Sequence, residues 1–216
     1  MNAPLAAELS AGAQAFGLAL APEQTDRLLA YLNLLAQWNQ VYNLTALRNP
    51  ADMLTHHLLD SLSVIGPLRR QTQGQAVRLL DVGSGGGLPG VVIAICCPEI
   101  NVTCIDAVAK KTAFIQQAAG ILGLPNLRGQ HGRVQALRDA FDIITSRAFA
   151  TLADFTSWST GALGEGGVWM AMKGKHPSEE IAALPPAVDV FHVEQLAVPG
   201  LDAQRCLVWM RLHYAK

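Results

Sequence analysis

Residues 76–90 read AVRLLDVGSGGGLPG, and this stretch decides the fold. Its apolar run, from Val77 to Val82, predicts a short buried strand. Four of the next five residues are glycines: Gly83, Gly85, Gly86 and Gly87. Such a loop takes positive φ without strain and lets its N–H groups approach a ligand closely. Pro89 then favours the first turn of a helix, so the stretch predicts the strand, loop and helix of a nucleotide-type site.

Two features indicate which nucleotide binds: the position of the glycines relative to the strand, and one carboxylate. Gly85, Gly87 and Gly90 spell GxGxxG, the dinucleotide fingerprint. That fingerprint begins directly after its strand, whereas the first glycine here is Gly83. Asp81 precedes this glycine by two residues, where a carboxylate repels a pyrophosphate and attracts a ligand that carries an ammonium and a sulfonium. S-adenosylmethionine is such a ligand, and D-x-G-x-G-x-G resembles motif I of the class I S-adenosylmethionine-dependent methyltransferases. A dinucleotide site and a plain connecting turn stay open as alternatives.

Length and composition describe a chain that can bury a full core. The 216 residues fit one large α/β domain, or one domain with an extension. Half of them are hydrophobic (50%) and 15% are charged, which argues against disorder. With a formal net charge of −1, a nucleic-acid partner would have to meet a local basic patch. We find no apolar run of membrane-spanning length and no signal-peptide pattern, so we expect a cytoplasmic protein without a membrane partner. We also expect a monomer.

The four cysteines do not indicate a metal site, a disulfide or a catalytic nucleophile. They occupy positions 96, 97, 104 and 206 without CxxC or Cys/His spacing, so we expect neither a metal site nor a structural disulfide. All four fit small core side chains. A cysteine nucleophile, as cytosine C5 methylation requires, would have to be Cys97, which falls at the wrong end of a helix.

Residues 1–70 predict a helical extension. Their apolar stripes indicate three helices, over about residues 5–17, 22–38 and 51–65. In the third, His56, His57 and Asp60 can share a face. They are either hydrogen-bonded structural residues or, together with Arg48, contacts for a substrate. A polar connector with one glycine then leads into a main domain over residues 71–216.

Strands and helices alternate through this main domain, which predicts an α/β fold with a doubly wound sheet. Six further strands are predicted, over about residues 101–106, 126–130, 141–145, 167–172, 187–196 and 205–212. A helix over residues 152–163 is expected to end at the glycines at 164, 166 and 167. Asp106 ends the first of these, 25 residues beyond Asp81, near the spacing at which a carboxylate binds ribose hydroxyls. A helix N-cap is the alternative role for that residue.

Arg147 follows the 141–145 strand directly, in the sequence SRAF. Ligands of doubly wound sheets lie outside the carboxyl ends of the strands, so this arginine is placed to face one. Its guanidinium suits a phosphate or a carboxylate better than proton removal. The alternative is a structural ion pair, for example with Asp142.

Six motifs in one order narrow the identification to a family. WNQVYNLTALRNP, HHLLDSL, LLDVGSGGGLPGVVIAI, KKTAFIQ, SRAF and VPGLDAQRCLVWM resemble the ribosomal RNA small subunit methyltransferase G family, also known as glucose-inhibited division protein B. The resemblance runs from about residue 16 to residue 211. It implies a class I fold, Rossmann-like, with seven strands, the last antiparallel. It also implies methyl transfer from S-adenosylmethionine to N7 of one guanine in the decoding-region stem-loop of 16S ribosomal RNA.

The family's cofactor site can be carried over motif by motif. It places Gly83 and Leu88 in the glycine loop, Val134 and Gln135 after the third strand, and Arg147 in SRAF. With the residues argued from chemistry, the predicted cofactor-binding set is Asp81, Gly83, Gly85, Gly87, Leu88, Asp106, Val134, Gln135 and Arg147. The family usually has a glutamate where Gln135 stands. A role through the backbone would be unaffected by this change, whereas a role through the carboxylate would lower the affinity for the cofactor.

The motifs are compatible with methylation at guanine N7. N7 has a free lone pair, so its methylation needs alignment and electrostatic stabilisation but no general base. After the fourth strand the chain has SRAF, not the (D/N/S)PP(Y/F/W) of amino-group methyltransferases. We predict that Arg147 is the catalytic residue and orients the guanine or the cofactor.

The expected partner is 16S ribosomal RNA or the small ribosomal subunit. Scattered basic residues are the candidate RNA contacts, with ordinary solvated charges as the alternative: Arg48, Lys110, Lys111, Arg128, Arg133, Arg138, Lys173 and Lys175. Three other functions stay open. They are a methyltransferase of a small molecule or protein, a nucleotide-binding regulatory module without catalysis, and a dehydrogenase.

Overall fold

A computed structural model describes residues 3–213. In this range seven strands form one sheet in the order β3-β2-β1-β4-β5-β7-β6. Their bounds are β1 (Arg78–Val82), β2 (Asn101–Asp106), β3 (Leu127–His131), β4 (Phe141–Arg147), β5 (Leu163–Lys173), β6 (Val188–Leu196) and β7 (Arg205–Leu212). Strands β1 to β5 pair in parallel, and β7 is antiparallel to both β5 and β6. The predicted seven-stranded α/β sheet with an antiparallel last strand is confirmed.

Nine α-helices accompany the sheet within residues 3–213. They are α1 (Ala3–Ala15), α2 (Pro22–Tyr42), α3 (Pro50–Met53), α4 (Asp60–Leu62), α5 (Ile65–Thr72), α6 (Gly90–Cys96), α7 (Ala109–Ile121), α8 (Leu152–Ser159) and α9 (Ser178–Ala182). A π-helical stretch, Leu54–Leu59, joins α3 to α4. No helix in the described range is long and apolar enough to cross a membrane.

Two parts of the helix prediction were wrong. Helix α5 extends to Thr72, two residues into the connector expected over residues 71–75, and Pro67 lies in its first turn, where proline does not break a helix. Helix α9 was not predicted, since its five residues are too few to show a periodic apolar pattern.

The start of β5 was also predicted wrongly. We expected the glycines at 164, 166 and 167 to end a helix, but α8 ends at Ser159 and the strand already begins at Leu163. The pairing of β4 with β5 shifts register between Phe141 and Ile143. A Cβ on Gly167 would lie 3.0 Å from the Phe141 carbonyl oxygen, so the glycine permits a close backbone approach at this bulge.

Apolar side chains cover both faces of the sheet. On one face, buried residues of α1, α2 and the helical segment up to α5 share a core with α6, α7 and the sheet, for example Leu35, Leu58 and Phe114. On the other face, Phe155 of α8 packs with Trp169 of β5. Burying side chains of this size contributes about 1.5–3 kcal/mol each. The N-terminal helices are therefore anchored to the sheet, and a division of the chain at residue 70 stays a prediction.

Candidate functional site

Two cavities open at the carboxyl edge of the parallel strands. The first, which we call the glycine-loop cavity, has a volume of about 540 Å³ and lies at the ends of β1, β2, β3 and β4. The second, the arginine cavity, has a volume of about 400 Å³ and lies at the ends of β4 and β5 and the start of the antiparallel β7. Ala148, with φ of 52°, lines both. Two ligands bound in these cavities would be neighbours.

The glycine loop is shaped by positive φ values and close approaches. Gly83 has φ of 67°, and a Cβ there would collide with the ring of Phe149. The Gly83 N–H donates to the Ile105 carbonyl at 2.9 Å. From the other side, the buried hydroxyl of Tyr31 in α2 donates to the Gly86 carbonyl at 2.6 Å. The loop is thus held between the sheet and an N-terminal helix.

Asp81 lies beneath the loop and is fully buried. Its Oδ2 accepts from the Gly90 N–H at 2.9 Å, whereas its Oδ1 is buried with no hydrogen-bond partner among the described residues. Burial raises the pKa of this carboxyl to about 7, against the opposing hydrogen bond from Gly90. The side chain is absent from the lining of the glycine-loop cavity, so its contact with a cofactor stays a prediction.

Asp106 lines the glycine-loop cavity at the end of β2. Its Oδ2 accepts from the Gly85 N–H at 3.0 Å and lies 3.6 Å from Lys111 Nζ. Its Oδ1 accepts from the Val108 N–H at 2.9 Å, just before α7. The N-cap of α7 is Val108, so the alternative N-cap role of Asp106 was wrong, and its contact with ribose hydroxyls stays a prediction.

Only some of the remaining predicted cofactor-binding residues line the glycine-loop cavity. Val134 and Gln135 lie in a 3₁₀ turn after β3 and line the glycine-loop cavity, as Gly83 does. Gly85, Gly87 and Leu88 do not line it, and Leu88 is part of the core. Sequence analysis did not identify the aromatic lining, Phe149 and Trp158, whose rings meet edge to face at 5.8 Å.

Arg147 ends β4 and lines the arginine cavity, not the glycine-loop cavity. Its Nη1 donates to Asp60 Oδ2 and to the His56 carbonyl, both at 2.9 Å. The predicted alternative partner, Asp142, instead accepts from the Arg78 N–H at 2.7 Å. Arg147 is therefore ion-paired and also placed to meet a ligand.

Asp60 binds a second arginine in the same cavity. Arg205 Nε donates to its Oδ1 at 2.8 Å, so both oxygens of one carboxylate, 2% exposed, are engaged. Arg205 was not predicted as a site residue, although it belongs to the motif VPGLDAQRCLVWM. The feature that could have predicted it is the antiparallel last strand, because an antiparallel strand begins at the edge where the parallel strands end. Lys173 adds a third cation, which donates to Glu180 Oε2 at 2.7 Å.

His57 completes the wall of the arginine cavity. Its Nε2 lies 2.7 Å from Thr45 Oγ1, and its Nδ1 is buried without a partner among the described residues. Burial, and then the charge of Arg147, lower the pKa of this imidazole to about 4, so it is neutral at pH 7. The loop that holds Thr45 is tied to α2, because Asn39 Oδ1 accepts from the Thr45 N–H at 2.9 Å.

Comparison with known proteins gives the family. A family model described as "rRNA small subunit methyltransferase G" matches residues 24–208. The chain belongs to this family. The ribosomal RNA small subunit methyltransferase G of Acidovorax ebreus is 62% identical over 218 residues, which cover 97% of this chain and 96% of the relative. That of Polaromonas naphthalenivorans is 60% identical over 211 residues, 96% of each chain.

Solved structures agree with the fold. TrmN from Thermus thermophilus has a TM-score of 0.55 at 18% identity, over 74% of this chain and 53% of that one. The ribosomal protein L11 methylase of Lactobacillus delbrueckii has a TM-score of 0.54 at 13% identity, over 77% and 80%. At such identities the likeness concerns the fold alone, and it confirms the class I methyltransferase architecture of this family member.

The cysteines of this rRNA small subunit methyltransferase G family member are all buried, as predicted. Burial raises the pKa of Cys97 to about 11, which keeps it a protonated thiol and a poor nucleophile at pH 7. Within residues 3–213, no group of three or more His, Cys, Asp or Glu residues is arranged to hold a metal ion.

The predicted RNA contacts do not all share one edge of the sheet. Lys111 and Arg133 line the glycine-loop cavity, and Lys173 lines the arginine cavity. Arg128 instead lines a small pocket with Arg78, among the residues where β1, β2 and β3 begin. Since that is the opposite edge, Arg128 does not join the others.

Proposed function

We propose that this family member transfers a methyl group from S-adenosylmethionine to N7 of a guanine in 16S ribosomal RNA, giving 7-methylguanosine. The observation that carries the proposal is the pair of adjoining cavities. One is lined by a glycine loop and a carboxylate, the other by arginines, and Ala148 lies at their junction.

The glycine-loop cavity fits S-adenosylmethionine. Asp106 presents a carboxylate suited to ribose hydroxyls, and Val134 and Gln135 line the same cavity, which supports an adenine contact for their turn. Gly83 leaves backbone space that any side chain would fill, and Asp81 Oδ1 leaves an unpartnered polar atom beneath the loop. When bound, this cofactor supplies an electrophilic methyl group on a sulfonium.

The arginine cavity fits a guanine and its phosphate. Arg147 and Arg205 offer guanidinium donors to the guanine O6 edge or to a phosphate oxygen. Asp60 binds both arginines and fixes their direction. Because N7 already carries a lone pair, the residues of this cavity have to orient the base and exclude water, and no side chain has to remove a proton.

Both predicted parts of the chain contribute to the arginine cavity, and their division at residue 70 stays a prediction. Residues 1–70 contribute His56, His57 and Asp60 to the arginine cavity, and residues 71–216 contribute the strand ends. We expect the enzyme to act as a monomer. The partner is then 16S ribosomal RNA, free or within the small ribosomal subunit.

The test is methyl transfer from labelled S-adenosylmethionine to 16S RNA and to small subunits that lack their native modification. Product bases are mapped by chain cleavage at 7-methylguanosine. We expect label at a single guanine N7. Label on an exocyclic amine or on C5 would contradict the N7 assignment. Cofactor binding with no transfer to either RNA would leave the fold intact and favour a small-molecule or protein substrate.

A further inference from the structure

Exposed apolar and basic side chains meet where the end of α2 reaches the start of α7. We call this the Tyr42 surface, and it comprises Val41, Tyr42, Arg48, Val108 and Lys110. Within residues 3–213, five large hydrophobic side chains are exposed, and three of them lie here: Val41 (70%), Tyr42 (39%) and Val108 (38%). Lys110 Nζ lies 5.9 Å from the centre of the Tyr42 ring, which joins the two helix ends.

The Tyr42 ring is supported from below. Trp38, one turn earlier in α2, lies 5.0 Å from it between ring centres, and Trp38 in turn lies 5.4 Å from Phe114 of α7. Phe114 is almost fully buried, at 1% exposure. Tyr42 is therefore packed against Trp38, which packs on the buried Phe114, while part of the Tyr42 side chain faces solvent.

The charge of this surface suits RNA. Arg48 and Lys110 are exposed, and neither forms an ion pair with another described residue. The whole chain has a net charge of −1, so unpaired cations beside an exposed aromatic ring are a local feature. Proteins bind unpaired nucleotides through this combination, in which a base stacks on the ring and a phosphate meets the cation.

The surface continues into both cavities. Lys111, next to Lys110, lines the glycine-loop cavity. Thr45, three residues beyond Tyr42, contacts His57 in the wall of the arginine cavity at 2.7 Å. The chain therefore connects the Tyr42 surface to a wall residue of each cavity within a few residues, which favours one RNA strand that reaches both.

We propose that the Tyr42 surface binds an unpaired nucleotide of the RNA substrate next to the target guanine. Lys110 Nζ lies over the Tyr42 ring in the free protein. The base takes its place on the ring, and the neighbouring phosphates pair with the displaced Lys110 and with Arg48. This inference rests on the proposed function and names a contact that the two cavities do not supply.

The experiment measures methyl transfer to 16S RNA, or to the small subunit if that is the better substrate, for Tyr42→Ala and Tyr42→Phe. For Tyr42→Ala we expect the KM for RNA to rise by about fivefold to a hundredfold, the range for loss of one stacked base. The kcat at saturating RNA and the Kd for S-adenosylmethionine should stay unchanged. Tyr42→Phe keeps the ring and should behave like the wild type. In the matched control, Ile121→Ala, an apolar side chain is removed that is 56% exposed at the far end of α7.

The outcomes separate this inference from the function on which it rests. If the wild type transfers methyl groups to RNA and Tyr42→Ala has an unchanged KM, the Tyr42 contact is wrong and the function stands. If Tyr42→Phe loses as much as Tyr42→Ala, stacking is wrong. Lack of transfer by the wild type to any RNA overturns the function and this contact together. Lys110→Gln is a second test. Loss of one phosphate contact should lower the slope of log K for RNA binding against log salt by about one counterion.

Discussion

Asp60 Oδ2 accepts a hydrogen bond from Arg147 Nη1 at 2.9 Å, across 87 residues of sequence. The other oxygen of the same carboxylate accepts from Arg205 at 2.8 Å. A buried carboxylate that binds two guanidiniums fixes their planes and leaves their other N–H groups to a ligand. The arginine cavity therefore owes its geometry to a residue of the N-terminal helices.

Asp60→Asn should reduce transfer without weakening cofactor binding. The amide keeps the shape but loses the charge, and its NH2 group cannot accept from the arginine that it faces. We expect kcat/KM for RNA to fall by about tenfold or more. The Kd for S-adenosylmethionine, measured by calorimetry, should not change because Asp60 does not line the glycine-loop cavity. Asp189→Asn is the control, since it removes the charge from an exposed ion pair with Arg211. An equal loss in both variants would contradict a positioning role.

Gly83→Ala should lower both stability and cofactor affinity. Positive φ costs a non-glycine residue about 1–2 kcal/mol, and the new Cβ would also collide with Phe149. Gly74→Ala separates the two costs, because Gly74 has a similar φ of 72° and open space around it. Urea unfolding should show a larger loss for Gly83→Ala than for Gly74→Ala, and calorimetry should show weaker cofactor binding only for Gly83→Ala. Equal losses would mean that Phe149 moves aside freely.

Asp106→Asn should weaken cofactor binding. Hydrogen bonds to a charged group contribute about 1.5–3 kcal/mol, so the Kd for S-adenosylmethionine should rise by about tenfold or more. Asp142→Asn is a matched control, because this carboxylate also accepts a backbone hydrogen bond at the sheet but lies exposed at the start of β4. An unchanged Kd for Asp106→Asn would exclude the ribose role.

Asp81 should make the folded protein less stable as the pH rises. Burial raises the pKa of its carboxyl from 3.8 to about 7, so between these values the folded chain keeps a proton that the unfolded chain has lost. This contribution to the free energy of unfolding is full below the unfolded pKa and disappears as the pH reaches the folded one. His57 acts in the opposite direction, because burial lowers its pKa from 6.5 to about 4.

Comparing variants isolates the Asp81 contribution. Asp81→Asn removes this titration and keeps that of His57. Between about pH 5 and about pH 7.5, the wild type should lose about 2 kcal/mol more free energy of unfolding than Asp81→Asn. Urea unfolding at the two pH values without cofactor measures the difference. Identical pH dependence in the two proteins would show that the carboxyl is already ionised at about pH 5.

Local sequence predicted the elements whose signals are local. Strands β2 and β7 have the predicted bounds, because apolar residues of strand length are bracketed there by polar and turn residues. The glycine loop was also predicted from a local signal, since few residues except glycine tolerate the φ values of 67° and 90° at Gly83 and Gly87. Where a glycine serves packing instead, as at Gly167, the same signal misled the prediction.

The sequence by itself determined the α/β class, the seven strands and the family, since these depend on the periodicity of apolar residues and on short motifs. Only the tertiary structure decided which cavity each site residue faces. It placed Arg147 away from the glycine-loop cavity and brought Asp60, Arg147 and Arg205 together. Sequence spacing contains no information on such pairs, because their distance depends on how the helices pack on the sheet and on the antiparallel insertion of β7.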